Sequence, residues 1–483
     1  MRFGLAVVIG VAGLALAMTS CSILPGNSGD DGTEIDTYVR TLVDATGNTF
    51  ASGVSAVGSN VALVGAITVA QDTNTMEVDG WFGMMDIAGT LRWLHGLAFD
   101  KEGYECSFVA RTVAVTPDGG LVLGGSPHTG DGDLVVARFD SSGSMVWDRT
   151  FRGFTDDATF RFLYLHDLVV RDDGTLLMVA ELDGGNTLFA ELNSDGSPRW
   201  SVVVGGVYHR VEETDSGYLL IGMVNYRKDQ GIPTIITHLS AAASGVPDAV
   251  LFSRNEFISS RSETNQMHDF VDSARGADGS IYAVGSSYLF SPNVVSVLVI
   301  RLSSDGALMW RKEYHVQIDG TEEFCDGNGI AVDTDGTLHV TGRIGASGSS
   351  YNQDALLLHL DCDGNVLAAM RYAEQFNTYN TSFEFLDTDL PGIAGSPDTG
   401  WLVTSIRGRD NGAAGDLELL LTDQSLNAAG MGIAIPVSDV ITSNRTAEVY
   451  DPNGDVFFES HPIQEVYTDT DPTIVKQGTL TLQ

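Results

Sequence analysis

Positive charge is scarce in this chain. Only 4 Lys and 22 Arg stand against 64 Asp+Glu among 483 residues, a formal charge of −38 with a pI near 4.3. A surface so acidic repels a phosphate backbone, which excludes electrostatic nucleic-acid binding. Cysteine is also rare, with four in all (Cys21, Cys106, Cys325, Cys362), and none forms a CxxC pair. That argues against zinc and dithiol redox chemistry. After residue 20 no apolar run reaches the 18 residues of a membrane span, and no long i, i+3, i+4 stripe marks a helix. The ten His lack the H-E-x-x-H and H-x-H spacings of a zinc site, and no G-x-S-x-G, S-x-x-K or P-loop occurs. No cofactor and no metal ligand set is expected.

Glycine, by contrast, is abundant: 55 Gly against 13 Pro, without a collagen period. The N-terminus is an address. Arg2 precedes an apolar run from Phe3 to Ala17, and Thr19-Ser20 lead into Cys21, the anatomy of a signal peptide. The segment resembles a bacterial lipobox, with Met18 where that pattern prefers Leu. The resemblance implies cleavage before Cys21 and a lipid anchor on its sulfur. Ser22, in place of an inner-membrane retention Asp, implies the outer membrane. Residues 21–33 read as a flexible tether rich in Gly, Ser and Asp.

The body repeats. Residues 113–153 contain four short apolar runs: one before Asp118-Gly119, one after it, LVVARF at 134–139, and one ending in Trp147 beyond Gly143. Gly/Asp turns between short alternating runs describe an antiparallel meander. The first turn returns at Gly174, Gly217, Gly279, Gly336 and Gly400. The last returns at Gly89, Gly196, Gly306 and Gly364, and Trp follows the Gly by four residues at Trp93, Trp147, Trp200 and Trp310. Intervals of 54, 53 and 110 residues set a period near 55. Copies start near Phe50, Cys106, Phe160, Val207, Met267, Phe324 and Tyr379. Such a period predicts an all-β fold: a single β-propeller of seven four-stranded blades, with eight as the alternative if the tail makes its own blade. The recurring Trp is expected to pack blade on blade.

This unit resembles the bacterial β-propeller repeats of secreted and surface proteins, of the SBBP and delta-60 kind. The match is Asp118-Gly119, Val122–Gly124, Gly132-Asp133, Leu134–Asp140 and Gly143–Trp147. Its Gly-x-x-x-Trp element is distantly similar to the tryptophan-docking motif of quinoprotein-type propellers, without a cofactor-binding set. Ser396, Asp398 and Gly400 match the start of a sialidase box, but Trp401 follows at once. The resemblance implies a scaffold and carries no activity.

The expected organisation is a signal peptide over 1–20, the lipidated Cys21 and tether over 21–33, the propeller over 34–424, and ring-closing strands or a β-extension over 425–483. Within that tail, Val449–Phe458 reads as a hairpin through Pro452-Asn-Gly454. Cys325 and Cys362 are expected near opposite ends of one blade and unpaired with each other. Asp333, Asp335, Asp361 and Asp363 look like calcium ligands, but no Glu follows at the required spacing, so they read as turn residues.

One constellation emerges from the repeat alignment. Innermost propeller strands line a central axis, and their first residues cluster at one mouth. The equivalent polar residues there are Arg111, His166, Asp167, His209, Arg210, Asp272 and Asn328, with Thr112 beside Arg111. Such a ring either solvates the channel or binds a small ligand. The loops Tyr226–Asp229 and Phe376–Tyr379 read as rims for a partner. The chain is thus expected to be a non-enzymatic binding scaffold, tied to a membrane by lipid, with a protein or carbohydrate partner at its rim. The rival readings are a hydrolase or lyase using Asp167, Asp272 and His166, and a component of an envelope assembly complex.

Overall fold

A computed structural model describes residues 38–482 except for connecting segments, the longest being 373–401 and 468–480. The signal peptide, Cys21, the tether, the start at Tyr379, the sialidase-like box and the loops 226–229 and 376–379 lie outside the described residues. The architecture is an all-β propeller with six blades, each a meander of four consecutive strands. Blade 2 is typical, with strands Phe108–Val115, Leu121–Pro127, Leu134–Phe139 and Met145–Arg152. The innermost strands of the others are Gly47–Val57, Phe162–Val170, Val207–Thr214, Gln266–Arg275 and Phe324–Val332, for blades 1, 3, 4, 5 and 6. A short 3-10 turn at Val437–Asp439 is the one helical element among the described residues, and no helix there is long and apolar enough to cross a membrane.

Glycine sets the turns. Gly143, Gly196, Gly306 and Gly364 all have φ between 74° and 81°, a region open to Gly and costly for other residues. At Asp140, one carboxylate oxygen accepts the N–H groups of Ser142 and Ser144, each at 2.9 Å. The Asp thus replaces a backbone acceptor and shapes the turn. Asp361 does the same for Asp363 and Asn365, and Asp335 for Thr337. Among the described residues, no group of three or more His, Cys, Asp or Glu is placed to hold a metal.

The same glycines explain the Trp spacing. Trp93, Trp147 and Trp310 each donate their indole N–H to a turn carbonyl of the following blade: Ser141 at 3.0 Å, Ser194 at 3.1 Å and Cys362 at 3.2 Å. A Cβ on Gly143, Gly196 or Gly364 would lie 3.1 Å or less from that Trp ring. Each Trp therefore rests on the glycine of the next turn. Trp200 departs from this, donating instead to Glu191 Oε2 of its own blade at 2.8 Å. Glu191 is buried and also paired with Arg171 and Arg199.

Apolar clusters lie between neighbouring blades. Tyr282, Val284, Val299 and Tyr314 of blade 5 pack with Ile330, Leu338 and Leu358 of blade 6. Blades 2 and 3 meet through Val122, Leu134, Val136, Leu165, Leu168 and Met178. Third strands are sandwiched on both faces, which makes runs such as LVVARF nearly continuous in apolar character. Cys325 is a free, buried thiol whose pKa burial pushes up to about 12, while Cys362 is disulfide-bonded to a partner whose side chain lies outside the described residues.

Two expectations need correction. Six rather than seven sheets consist of four consecutive strands. The next sheet is composite, with the order Leu402–Arg409, Ala413–Leu421, Tyr38–Val43, Thr481–Leu482. It draws on both chain ends because the chain leaves the repeat after Leu421 and runs along the perimeter. The tail is also not a local hairpin. Glu448–Tyr450 pairs with blade 4 and Phe458–Ser460 with blade 3, so the two flanks of Pro452-Asn-Gly454 are edge strands on different blades. The wider pattern is a strap. Ile433–Ala434 adds to blade 6, Val440–Ser443 to blade 5, and Gln464–Tyr467 to blade 2. An outermost strand has unpaired N–H and C=O groups, and the strap covers them.

Candidate functional site at the axial mouth

Each innermost strand of blades 1–6 breaks register at an equivalent place, and that of blade 3 breaks it a second time at Phe162/Tyr164. The shifts fall at Ala51/Gly53, Ala110/Thr112, Leu165/Asp167, Tyr208/Arg210, Phe270/Asp272 and Gly327/Gly329. A bulge inserts one unpaired residue and re-aims side chains. The inserted residues include Arg111, His166, His209 and Asn328, while Asp167, Arg210 and Asp272 directly follow a bulge. The ring of polar residues is thus a ring of bulges.

Five of the seven candidates form one network across blades 3–5. Arg210 donates from Nε to Asp272 Oδ1 at 2.6 Å and from Nη1 to the His166 carbonyl at 3.0 Å. The same Nη1 lies 3.7 Å from Asp167 Oδ1. Asp167 Oδ2 accepts the Val211 N–H of blade 4 at 2.9 Å, and Asp272 Oδ2 accepts the Ile330 N–H of blade 6 at 2.9 Å. Burial pushes the Asp167 carboxyl up, against the opposing pull of Arg210 and the Val211 N–H. Both carboxylates are buried and tie one blade to the next.

The imidazoles stack. His166 and His209 have ring centroids 4.5 Å apart. His209 Nδ1 lies 3.0 Å from the Phe270 carbonyl, so it carries the proton and Nε2 is an acceptor. Burial, then the neighbouring His166, lowers the His209 pKa to about 3, so this ring is neutral. His166 Nε2 lies 3.0 Å from Glu181 Oε2.

Arg111 and Asn328 lie apart from that network. Arg111 is an exposed residue whose guanidinium lies 4.6 Å above the Tyr164 ring, and partial desolvation of that group lowers its pKa. Asn328 donates to Asp326 Oδ1 at 3.2 Å, and Asp326 pairs with Arg343. Nearby Asp269 keeps Oδ1 buried without a hydrogen-bond partner, and burial, then Asp326, raises its pKa to about 7. Sequence reasoning missed Tyr164, Asp269 and Asp326. All three stand two residues before an inserted residue, a register that the repeat alignment held but that only the bulge makes visible.

No family model matches the chain, and no curated protein matches it. Among solved structures it is similar to a Penicillium chrysogenum alpha-L-arabinanase complexed with arabinobiose, at 10% identity and TM-score 0.39, covering 85% of this chain and 100% of that one. It is also similar to a Pseudomonas brassicacearum lignostilbene dioxygenase, at 13% and 0.42, covering 85% and 94%. A glycosyl hydrolase from Bacteroides ovatus follows at 11% and 0.25, covering 66% and 85%. At such identity and TM-score these likenesses carry no argument, and nothing of their chemistry passes to this chain.

Proposed function

We propose that this chain is a non-enzymatic binding scaffold of the cell envelope, exported by its signal peptide and held at the outer membrane through lipid on Cys21. The composite sheet acts as the seventh blade that closes the ring. The observation that carries the non-enzymatic reading is the occupation of Asp167 and Asp272. A carboxylate pair that works as acid and base needs lone pairs facing a substrate. Here the oxygens face the Val211 and Ile330 N–H groups, Leu168 N–H and Arg210. Their role is to clamp blades, and the mouth above them presents side chains to a ligand. The rim loops serve a protein or carbohydrate partner, and nucleic acid is disfavoured by charge.

The test has two parts. Cys21→Ser is expected to move the protein from the membrane to the soluble fraction and to abolish acyl labelling; unchanged labelling refutes the anchor. Asp167→Asn and Asp272→Asn are expected to lower stability. Loss of a measurable hydrolase or lyase activity in these variants, with stability intact, refutes the scaffold reading.

A further inference from the structure

The mouth contains an anomaly of charge. With 64 acidic residues to 26 basic ones, a cation without an acidic partner runs against composition. Arg210, the other arginine of the ring, holds Asp272, and Arg343, on the second strand of blade 6, holds Asp326. Arg111, among the described residues, touches only the face of Tyr164. Tyr164 is itself 42% exposed, one of few large apolar side chains so open. It stands 6.1 Å from the His166 ring, which in turn meets His209. Glu181, the cross-strand partner of Tyr164, is occupied by His166 Nε2. A guanidinium, an open aromatic face and two imidazoles therefore form one continuous row over blades 2, 3 and 4.

Building on the scaffold reading above, we infer that this row is a binding site for a small, singly charged ring carboxylate, a sugar acid or an aromatic acid. The guanidinium fork matches a carboxylate in a two-point contact. The exposed part of the Tyr164 ring, one face of which Arg111 covers, takes a sugar ring or an aromatic ring by apolar contact. The neutral His209 offers Nε2 as an acceptor for a ligand hydroxyl. One guanidinium balances one negative charge, and the surrounding negative field disfavours a dianion or a polyanion. The acidic surface and the one guanidinium of this row thus select both the sign and the size of the ligand.

The probes are galacturonate, benzoate, galactose and inorganic phosphate, titrated calorimetrically into the full mature protein. Galacturonate or benzoate is expected to bind, and which of them binds more tightly assigns the sugar or the aromatic source. Arg111→Ala is expected to weaken that binding at least tenfold, Arg111→Lys less, and Tyr164→Leu several-fold. Unchanged thermal melting should show that these exposed substitutions leave the fold intact. Galactose binding as tightly as galacturonate, with Arg111→Ala without effect, overturns the inference and leaves the scaffold reading standing. Tighter binding of phosphate, or no binding of either carboxylate, also overturns it. Steady consumption of a bound probe refutes the scaffold reading instead.

Discussion

Gly364 and Gly336 offer a matched pair for measuring what a Trp resting on a glycine contributes. Both have positive φ, 74° and 84°. Alanine at either position meets a left-handed backbone penalty of roughly 1–2 kcal/mol. The surroundings differ. A Cβ at Gly336 meets nothing within 4 Å, whereas at Gly364 it meets Tyr314 Oη at 2.8 Å, Trp310 Cη2 at 2.9 Å and Lys312 Cδ at 2.9 Å. Tyr314 is buried and donates to the Gly364 carbonyl at 2.7 Å, so it cannot swing aside freely. Forcing a methyl into such a contact costs about 1–3 kcal/mol more. Gly336→Ala should therefore lose about 1–2 kcal/mol and Gly364→Ala about 2–5 kcal/mol. Urea titrations of both variants and the parent, fitted with a common slope, measure the difference. Equal losses would refute the claim that the glycine is required by the Trp above it rather than by its own dihedral angle.

Other perturbations probe other layers. Removing the Arg210 guanidinium with Arg210→Ala leaves Asp272 buried without its cation, and a loss of about 3–5 kcal/mol in a urea titration is expected. Asp269 has a folded pKa of about 7, above that of an unfolded Asp, so its contribution is present at low pH and lost as pH rises through 7. Asp269→Asn should therefore raise the melting temperature at pH 8 more than at pH 5. The stacked His339, buried, and His359, half-buried, have pKa values lowered by desolvation, so the unfolded chain takes up protons below about pH 6.5 that blade 6 refuses. Stability should fall from pH 7 to pH 5, and less steeply in His339→Leu, as followed by thermal melts. Truncation after residue 430 should expose the outer edges of blades 2 to 6, lowering the melting temperature and promoting aggregation visible by light scattering.

Much of the fold was legible because its signals are local. Asp-Gly turns, alternating runs and a Trp at fixed distance from a Gly are read within one blade, and the blade starts near Phe50, Val207 and Phe324 lie within a few residues of the observed strands. The tail was illegible for the opposite reason. Val449–Phe458 has every local mark of a hairpin, yet each flank finds a better partner in the unpaired edge of a different blade. Trp200 shows the same limit, since its repeat position was clear but its exchange of a turn carbonyl for Glu191 depends on a carboxylate of the adjacent strand that the spacing does not mark. At the mouth, alignment identified Arg111, His166, His209 and Asn328 as equivalent. It could not reveal that each is an inserted residue, because a bulge is a property of two strands. Tyr164 escaped notice because an aromatic residue in a strand is ordinary until its exposure is known.

The strap also fixes an order of assembly. It meets the blades in reverse: blade 6 at Ile433, then 5, 4, 3 and 2, and finally the strand at Tyr38–Val43 through Leu482. The last pairing joins Leu42 to Leu482, across most of the sequence. Closing so large a loop is slow relative to forming local hairpins. Each blade can therefore form as its own meander, and Tyr38–Val43 can join the composite sheet on Ala413–Leu421 before Thr481–Leu482 adds at its edge. Both termini then hold one sheet, and a chain that stops short keeps its blades while leaving its first strand half-paired. The last strand thus acts as a latch on a composite sheet that is already joined, covering the free edge of Tyr38–Val43 rather than making the closure.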